Sequence, residues 1–185
     1  MVFRDCIVTD RLVLRRFVAE DANDVFALMR DEYTAEKAGF RPFTSISQSQ
    51  RFMDLWQEGA FAITERGSDD VIGIIQTPRM GWRTAEIGYW LSKESRGLGY
   101  MTEAVEAVKS YLFEEEWWCD EIRILVFSGN DASRNVALKC GFHPVYDAYQ
   151  DCVYSPFGKA ESEDCFSITR GDYEWECRGV SYFTA

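Results

Sequence analysis

The chain has 185 residues, 46% apolar and 15% aromatic, which is enough material for one domain with a substantial core. Its 31 acidic and 20 basic side chains leave a formal net charge of −11, a balance that repels a polyanion and argues against a general nucleic-acid binder. Such acidity draws cationic partners, an amine or a basic protein tail, and equally serves solubility alone. Cysteines stand at 6, 119, 140, 152, 165 and 177 with no C-x-x-C pair, and the only histidine is His143, so no zinc-site spacing is present. The start, Met1 to Cys6, leads into strand-like sequence with no apolar signal stretch, and no window has the length of a membrane span. A cytoplasmic protein with free thiols and no metal is expected.

In chain order, the Ile7–Phe17 run alternates apolar and polar residues and predicts a strand. Ala22, Val25, Phe26 and Met29 recur at helical spacing behind Glu20 and Asp21. Tyr33–Thr44 reads as a loop punctuated by Gly39 and Pro42. Ser47 and Gln50 form a capping-box pair opening a helix through Trp56. Ala60–Thr64 and Val71–Gln76 make a hairpin around Arg66–Asp70, and a third strand covers Thr84–Leu91. In the next helix Met101, Ala104, Val105, Val108, Tyr111 and Leu112 form an apolar stripe, with Glu103, Glu106 and Lys109 off it. Trp117 and Trp118 are expected to pack its end. Ile122–Phe127 predicts a buried strand, Asp131–Cys140 a helix stopped by Gly141, and Val145–Tyr154 and Cys165–Thr169 paired strands. This order fits an α+β (α/β) domain spanning residues 1–185, with helices flanking one mixed, mostly antiparallel sheet.

The segment from Glu86 to Ala104 carries the chemistry. A strand ends, Gly97-Leu98-Gly99 turns, and an amphipathic helix begins. The first turn of a helix has unsatisfied N–H groups and the positive end of the macrodipole, and glycines let an anion such as a diphosphate approach them. The same glycines serve equally as a permissive turn. The P-loop pattern fails for want of its lysine, and the dinucleotide pattern G-x-G-x-x-G fails at Thr102.

An ordered set of pieces resembles the GNAT superfamily of acetyltransferases, in its RimJ/RimL-like branch. They are Thr9-Asp10-Arg11-Leu12-Val13-Leu14-Arg15, Glu86 to Leu91, Arg96 to Ala104, Asn130-Asp131-Ala132-Ser133 through Lys139 to Gly141-Phe142, and Phe166 to Thr169. The resemblance implies a GNAT-like fold and an enzyme moving acetyl from acetyl-CoA to a primary amine, on a protein N-terminus or a small molecule. It leaves room for a homodimer. In the family motif [QR]-x-x-G-x-[GA], Gly97 and Gly99 match the small positions and Glu94 replaces Gln/Arg. By this likeness Arg96, Gly97, Leu98, Gly99, Tyr100 and Met101 cradle the pyrophosphate. Tyr89, Trp90 and Leu91 run beside the pantetheine, and Asn130 lies near it. Many members place a tyrosine four residues before the Gly-Phe pair as general acid, where this chain has Ala137. Ser133 is the candidate acid, or else a capping residue of its helix. Glu86 is the candidate base, or else a structural carboxylate. It shares a strand face with Gly88 and Trp90. Phe40, Phe43, Trp56 and Trp82 line an acceptor pocket or pack the core, and His143 falls in a loop. The altered motif and the missing tyrosine keep open a non-catalytic CoA-binding module as the alternative.

Overall fold

The computed structural model describes residues 6–127, 129–145, 153–154, 160–161 and 163–177. The N-terminal run folds as a hairpin, β1 (Cys6–Val8) and β2 (Leu12–Arg15), where one continuous strand was expected. The break is chemical: the Thr9 hydroxyl accepts from the Leu12 N–H at 2.9 Å and closes a side-chain turn. Helix α1 (Ala22–Met29) buries Ala22, Val25, Leu28 and Met29. The expected loop at 33–44 contains a further helix, α2 (Glu32–Lys37), capped by Asp31, whose carboxylate accepts from the Thr34 N–H at 2.8 Å. Helix α3 (Ile46–Leu55) starts two residues earlier than the sequence suggested. Gln48, not Gln50, reaches back, and its Oε1 accepts from the N–H groups of Thr44 and Ser45.

Strands β3 (Ala60–Glu65) and β4 (Val71–Gln76) form the expected hairpin. The strand expected over 84–91 divides at Ile87 into β5 (Thr84–Glu86) and β6 (Gly88–Leu91), which lie in different sheets. Then come α4 (Tyr100–Glu114), β7 (Glu121–Phe127), α5 (Asp131–Lys139) and β8 (His143–Pro144). The chain continues with β9 (Val153–Tyr154), β10 (Ala160–Glu161), β11 (Glu163–Thr169) and α6 (Arg170–Cys177). Of the strand expected over 145–154, residues 146–152 lie outside the described residues, as does Cys152. His143 sits in β8 rather than a loop, paired with Ser167.

Two main sheets form where one was expected, because the 84–91 strand is shared between them: β1-β2-β3-β4-β6, antiparallel throughout, and β5-β7-β11-β8, in which only β5 and β7 are parallel, while β9 and β10 pair as a separate antiparallel ribbon. The chain passes from one sheet to the other at Ile87, whose N–H still donates to Arg123 O at 2.8 Å. From Gly88 onward the strand pairs with β4 instead. The two sheets therefore splay from a common line, and the edge of β6 that faces β7 has no partner strand among the described residues.

Strand β3 is buried on both faces, because helices cover both sides of its sheet. Phe61, Ile63 and Ile75 join the core built on α4 and β7, while Ala60, Ala62 and Ile74 join the core under α1 and α3. This is the expected α+β arrangement. The predicted stripe of α4 is buried, but so is Lys109, which the helical period placed outside it. Its ammonium donates to Cys140 O at 2.8 Å and pairs with Glu106 at 2.9 Å and Glu176 at 3.5 Å, so the burial is satisfied from α5 and α6. The sequence missed α6. Its first residue, Arg170, donates to the carbonyls of Phe113, Glu116 and Cys119 at the exit of α4, supplying the acceptors of a helix C-terminus with a cation. Of the tryptophan pair, only Trp118 packs inside. Its Nε1 donates to buried Glu116 at 2.7 Å, whereas Trp117 is 82% exposed. No helix among the described residues is long and apolar enough to cross a membrane.

Candidate active site

Beyond β6 a short helical turn at Lys93–Ser95 leads to Gly97 (φ +77°) and Gly99 (φ +81°), the latter immediately preceding α4. Both need the left-handed region that favours glycine, and a Cβ on Gly97 would meet nothing within 4 Å, so its surroundings are open. None of the backbone N–H groups of residues 97–102 finds an acceptor among the described residues. The loop is held from below by the N-terminal hairpin. Glu103 Oε1 accepts from Thr9 Oγ1 at 2.6 Å and from the Arg11 N–H at 2.9 Å, and its Oε2 accepts from Arg11 Nε at 2.6 Å. Arg11 Nη1 donates to Leu98 O at 2.9 Å, and the guanidinium lies 4.7 Å from the Tyr100 ring centre. Glu94, at the departing motif position, is exposed.

The splay between β6 and β7 opens a cavity of about 480 Å³ that runs past this loop. Glu86, Tyr89, Trp90, Leu91, Arg96, Gly97, Gly99, Tyr100, Met101, Asn130 and Ser133 all line it. Leu98 does not: its side chain is half-exposed and its carbonyl is taken by Arg11. The strand period settles which β6 groups face the opening. The Ser92 N–H donates to Ile72 O on the β4 side and the Ile87 N–H points to β7, so the N–H groups of Tyr89 and Leu91 lie on the open edge. The Trp90 side chain, by contrast, packs away from that edge against Phe40 and Phe52, with ring centres 5.8 and 6.3 Å apart.

Two of the expected binding side chains are occupied in holding the cavity together. Arg96 donates to Leu91 O at 3.1 Å and to Thr34 Oγ1 at 2.7 Å, tying α2 to the loop. Asn130 Nδ2 donates to Lys37 O at 3.2 Å, tying the other end of α2 to the start of α5. Its Oδ1 accepts from the Ser133 N–H at 3.2 Å, so Asn130 and not Ser133 caps α5. Ser133 Oγ is left facing the Tyr89 hydroxyl at 2.8 Å, and that hydroxyl also reaches Ser133 O at 3.1 Å. The pairing was not foreseen. The signal was the alternation that puts Tyr89 on the opposite face from Trp90.

Burial pushes the Tyr89 phenol well up, with the Ser133 bond acting against it. Burial also raises Glu86, whose carboxylate has no hydrogen-bond partner among the described residues, so it is not a structural carboxylate of the ordinary kind. Cys140, buried beside Glu106, is pushed up to about 12 and is a poor nucleophile there. Of the aromatic residues expected either here or in the core, Phe40, Phe43 and Trp56 pack on the core under α1 and α3, and Trp82 is 90% exposed. His143 is exposed in β8. Among the described residues no group of three or more His, Cys, Asp or Glu side chains could hold a metal ion.

A glycine turn with free N–H groups stands beside an opened strand edge and a half-buried carboxylate. The sequence model of the family described as acetyltransferase (GNAT) domain matches residues 11–143. The chain is a GNAT acetyltransferase. It is 33% identical over 143 residues to the uncharacterized N-acetyltransferase YoaA of Bacillus subtilis (strain 168), covering 72% of this chain and 80% of that one. Among solved structures, a GNAT-family acetyltransferase from Bacillus anthracis superposes with a TM-score of 0.82 at 22% identity, over 90% of this chain and 99% of that one. The microcin C7 self-immunity acetyltransferase MccE, solved with acetyl-CoA and AMP, gives a TM-score of 0.75 at 20% identity, over 87% and 93% of the two chains. This GNAT chain is thus an enzyme, and the reading of the fold as a non-catalytic module is set aside.

Proposed function

We propose that the chain, as one acetyltransferase domain of the RimJ/RimL-like branch, transfers acetyl from acetyl-CoA directly to a primary amine on a protein N-terminus or a small molecule. One observation carries the reading: a single cavity joins the free N–H groups of the glycine turn, the open edge of β6 and the half-buried carboxylate of Glu86. The turn suits a diphosphate, with Arg11 holding the Leu98 carbonyl back from it. The β6 edge suits the amide-bearing arm of the cosubstrate, which can pair with a strand as another strand would. The molecule's net charge of −11 favours approach of a cationic amine. The described cysteines are free thiols, which fits a reducing cytoplasm.

In this scheme Glu86, directly or through a water, takes a proton from the ammonium. The freed nitrogen attacks the thioester carbonyl, whose oxygen is stabilised by a β6 N–H group. The carbon–sulfur bond then breaks. The Ser133 hydroxyl gives its proton to the leaving thiolate and is resupplied through Tyr89 with the second proton that the acylated nitrogen sheds by way of water, while Glu86 returns the first proton to solvent, so the amide and free CoA leave with protons balanced. Tyr89 thereby supplies, from a strand, the phenol that Ala137 lacks on the helix.

Thermal unfolding with acetyl-CoA, followed by mass spectrometry of amine acceptors, tests this. Ligand at about a hundred times its dissociation constant adds roughly 2.7 kcal/mol of stability. An upward shift, then acetyl-CoA-dependent acetylation of an amine, is expected. No shift at millimolar ligand would reduce the glycine loop to a turn and remove the reading.

A further inference from the structure

Between β4 and β5, residues 78–86 make a narrow hairpin. The Glu86 N–H donates to Pro78 O at 2.9 Å and the Met80 N–H to Thr84 O at 2.8 Å, so its tip falls at Gly81-Trp82. The tip is pinned in place. Arg79 donates from Nε to Gly81 O at 3.2 Å and from Nη2 to Trp82 O at 2.8 Å, and its guanidinium lies 4.4 Å from the Trp118 ring centre. The Asp120 N–H donates to Arg83 O at 2.8 Å, which seats the hairpin beside the turn that carries Trp117. Trp82 and Trp117 are almost fully exposed and Met80 is half-exposed, and none of the three lines the cavity. Neither core packing nor the proposed reaction uses these side chains. Two exposed indoles and a thioether on one rigid support mark a contact surface.

We infer that a second copy of the chain docks on this face, in a two-fold contact where the tryptophans of both copies pack together and Arg83 of each copy meets Asp120 of the other. Charge selects the occupant. A net −11 repels a nucleic acid or an anionic membrane, and it holds two copies apart across most faces. Here the carboxylates are matched: Asp120 pairs with Arg83 and Arg170, and Glu121 pairs with Arg123 at 3.0 Å. Arg83 and Asp120 both reach solvent, so the face shows both signs and complements itself about a two-fold axis. A basic partner would meet the Arg83 guanidinium with its own sign. Composition agrees. Residues 79–83 and 116–120 hold three tryptophans, two arginines, a methionine and no lysine, and interface cores favour aromatics, Met and Arg over Lys. Two tryptophans supply about 300–500 Å² per copy, near half of the ~800 Å² that a standard interface takes from each partner. Because Arg79 fixes the tip before contact, little ordering is left to oppose association.

Sedimentation equilibrium of the full chain tests this. A dimer is expected at about 10–100 µM protein, as suits an interface at the small end of the stable range. Trp82→Ser and Trp117→Ser should each raise the dimer dissociation constant by about tenfold or more, as loss of a central aromatic does. Neither side chain is buried, so both variants should keep the thermal melt of the monomer. A charge exchange locates the pairing. Arg83→Asp and Asp120→Arg should each leave a folded monomer, because like charges then face each other across the axis. An equimolar mixture of the two should associate again, since each variant supplies the sign that the other lacks. Wild-type protein that stays monomeric over that concentration range overturns the inference. So does a dimer unmoved by both tryptophan changes, or a mixture of the two folded charge variants that remains monomeric.

Discussion

At the scale of single residues, the two groups proposed to move protons differ in what surrounds them. Glu86 is raised by burial alone, so the native state holds its proton more tightly than the unfolded chain does. Stability therefore falls as pH rises from the unfolded value through the folded one, and above both the charge is a standing cost. Glu86→Gln should be more stable than wild type at neutral pH and lower kcat by roughly 10²-fold, removing the alkaline-rising limb of the pH–rate profile that belongs to Glu86. Denaturant titration and a pH–rate series check the two halves. Ser133 has no capping duty, since Asn130 performs it. Ser133→Ala should thus leave the melting temperature within a few degrees while lowering kcat by roughly tenfold or more. Unchanged turnover would remove the proposed acid.

At the scale of elements, the glycine turn is only as well placed as the hairpin beneath it. Arg11 contacts Glu103, Leu98 O and the face of Tyr100, binding β2's approach to the first turn of α4. Half-exposed ion pairs contribute little to global stability. Their effect here is on geometry, because Leu98 lies between the two glycines. Arg11→Ala is expected to weaken CoA binding by about tenfold in calorimetry, with a small change in melting temperature. The expected loop at 33–44 shows the converse. Helix α2 has six residues, too few to stand alone, and forms because Asp31 caps it and Arg96 and Asn130 tie its two ends. The sequence reading of this stretch as a loop missed the Asp31–Thr34 cap and the ties alike.

At the scale of the whole molecule, acid stability follows from carboxylates bonded in the folded state. Asp31 is lowered by the Thr34 hydroxyl and N–H, and Asp172 by the Thr169 hydroxyl and N–H. In Glu103 burial pushes upward, yet bonds from Thr9 and Arg11 hold it below its usual value. Each is depressed on folding, so its contribution is present above the unfolded carboxylate range and is lost as pH falls through the folded value. The melting temperature should therefore decline steadily below about pH 4.5, the onset of the free carboxylate range. Asp31→Asn should soften that decline, as read by thermal melts across an acid series.

The sequence by itself determined what depends on neighbouring residues: a glycine turn opening a helix, the apolar stripe of α4, the strands β3, β4 and β7, and the ordered pieces that mark the family. Backbone dihedrals and hydrophobic periods are local properties, so they are written locally. Tertiary structure decided the rest. It split the 84–91 strand at Ile87, because β4 and β7 compete for one strand and each captures half of it. It brought Tyr89 to Ser133, laid Gln76 over Gly88, and buried Lys109 beneath α5 and α6 against its helical phase. These placements hang on which distant segments pair. That choice is made by the free energy of the assembled sheets and helices, and no short window of sequence contains it.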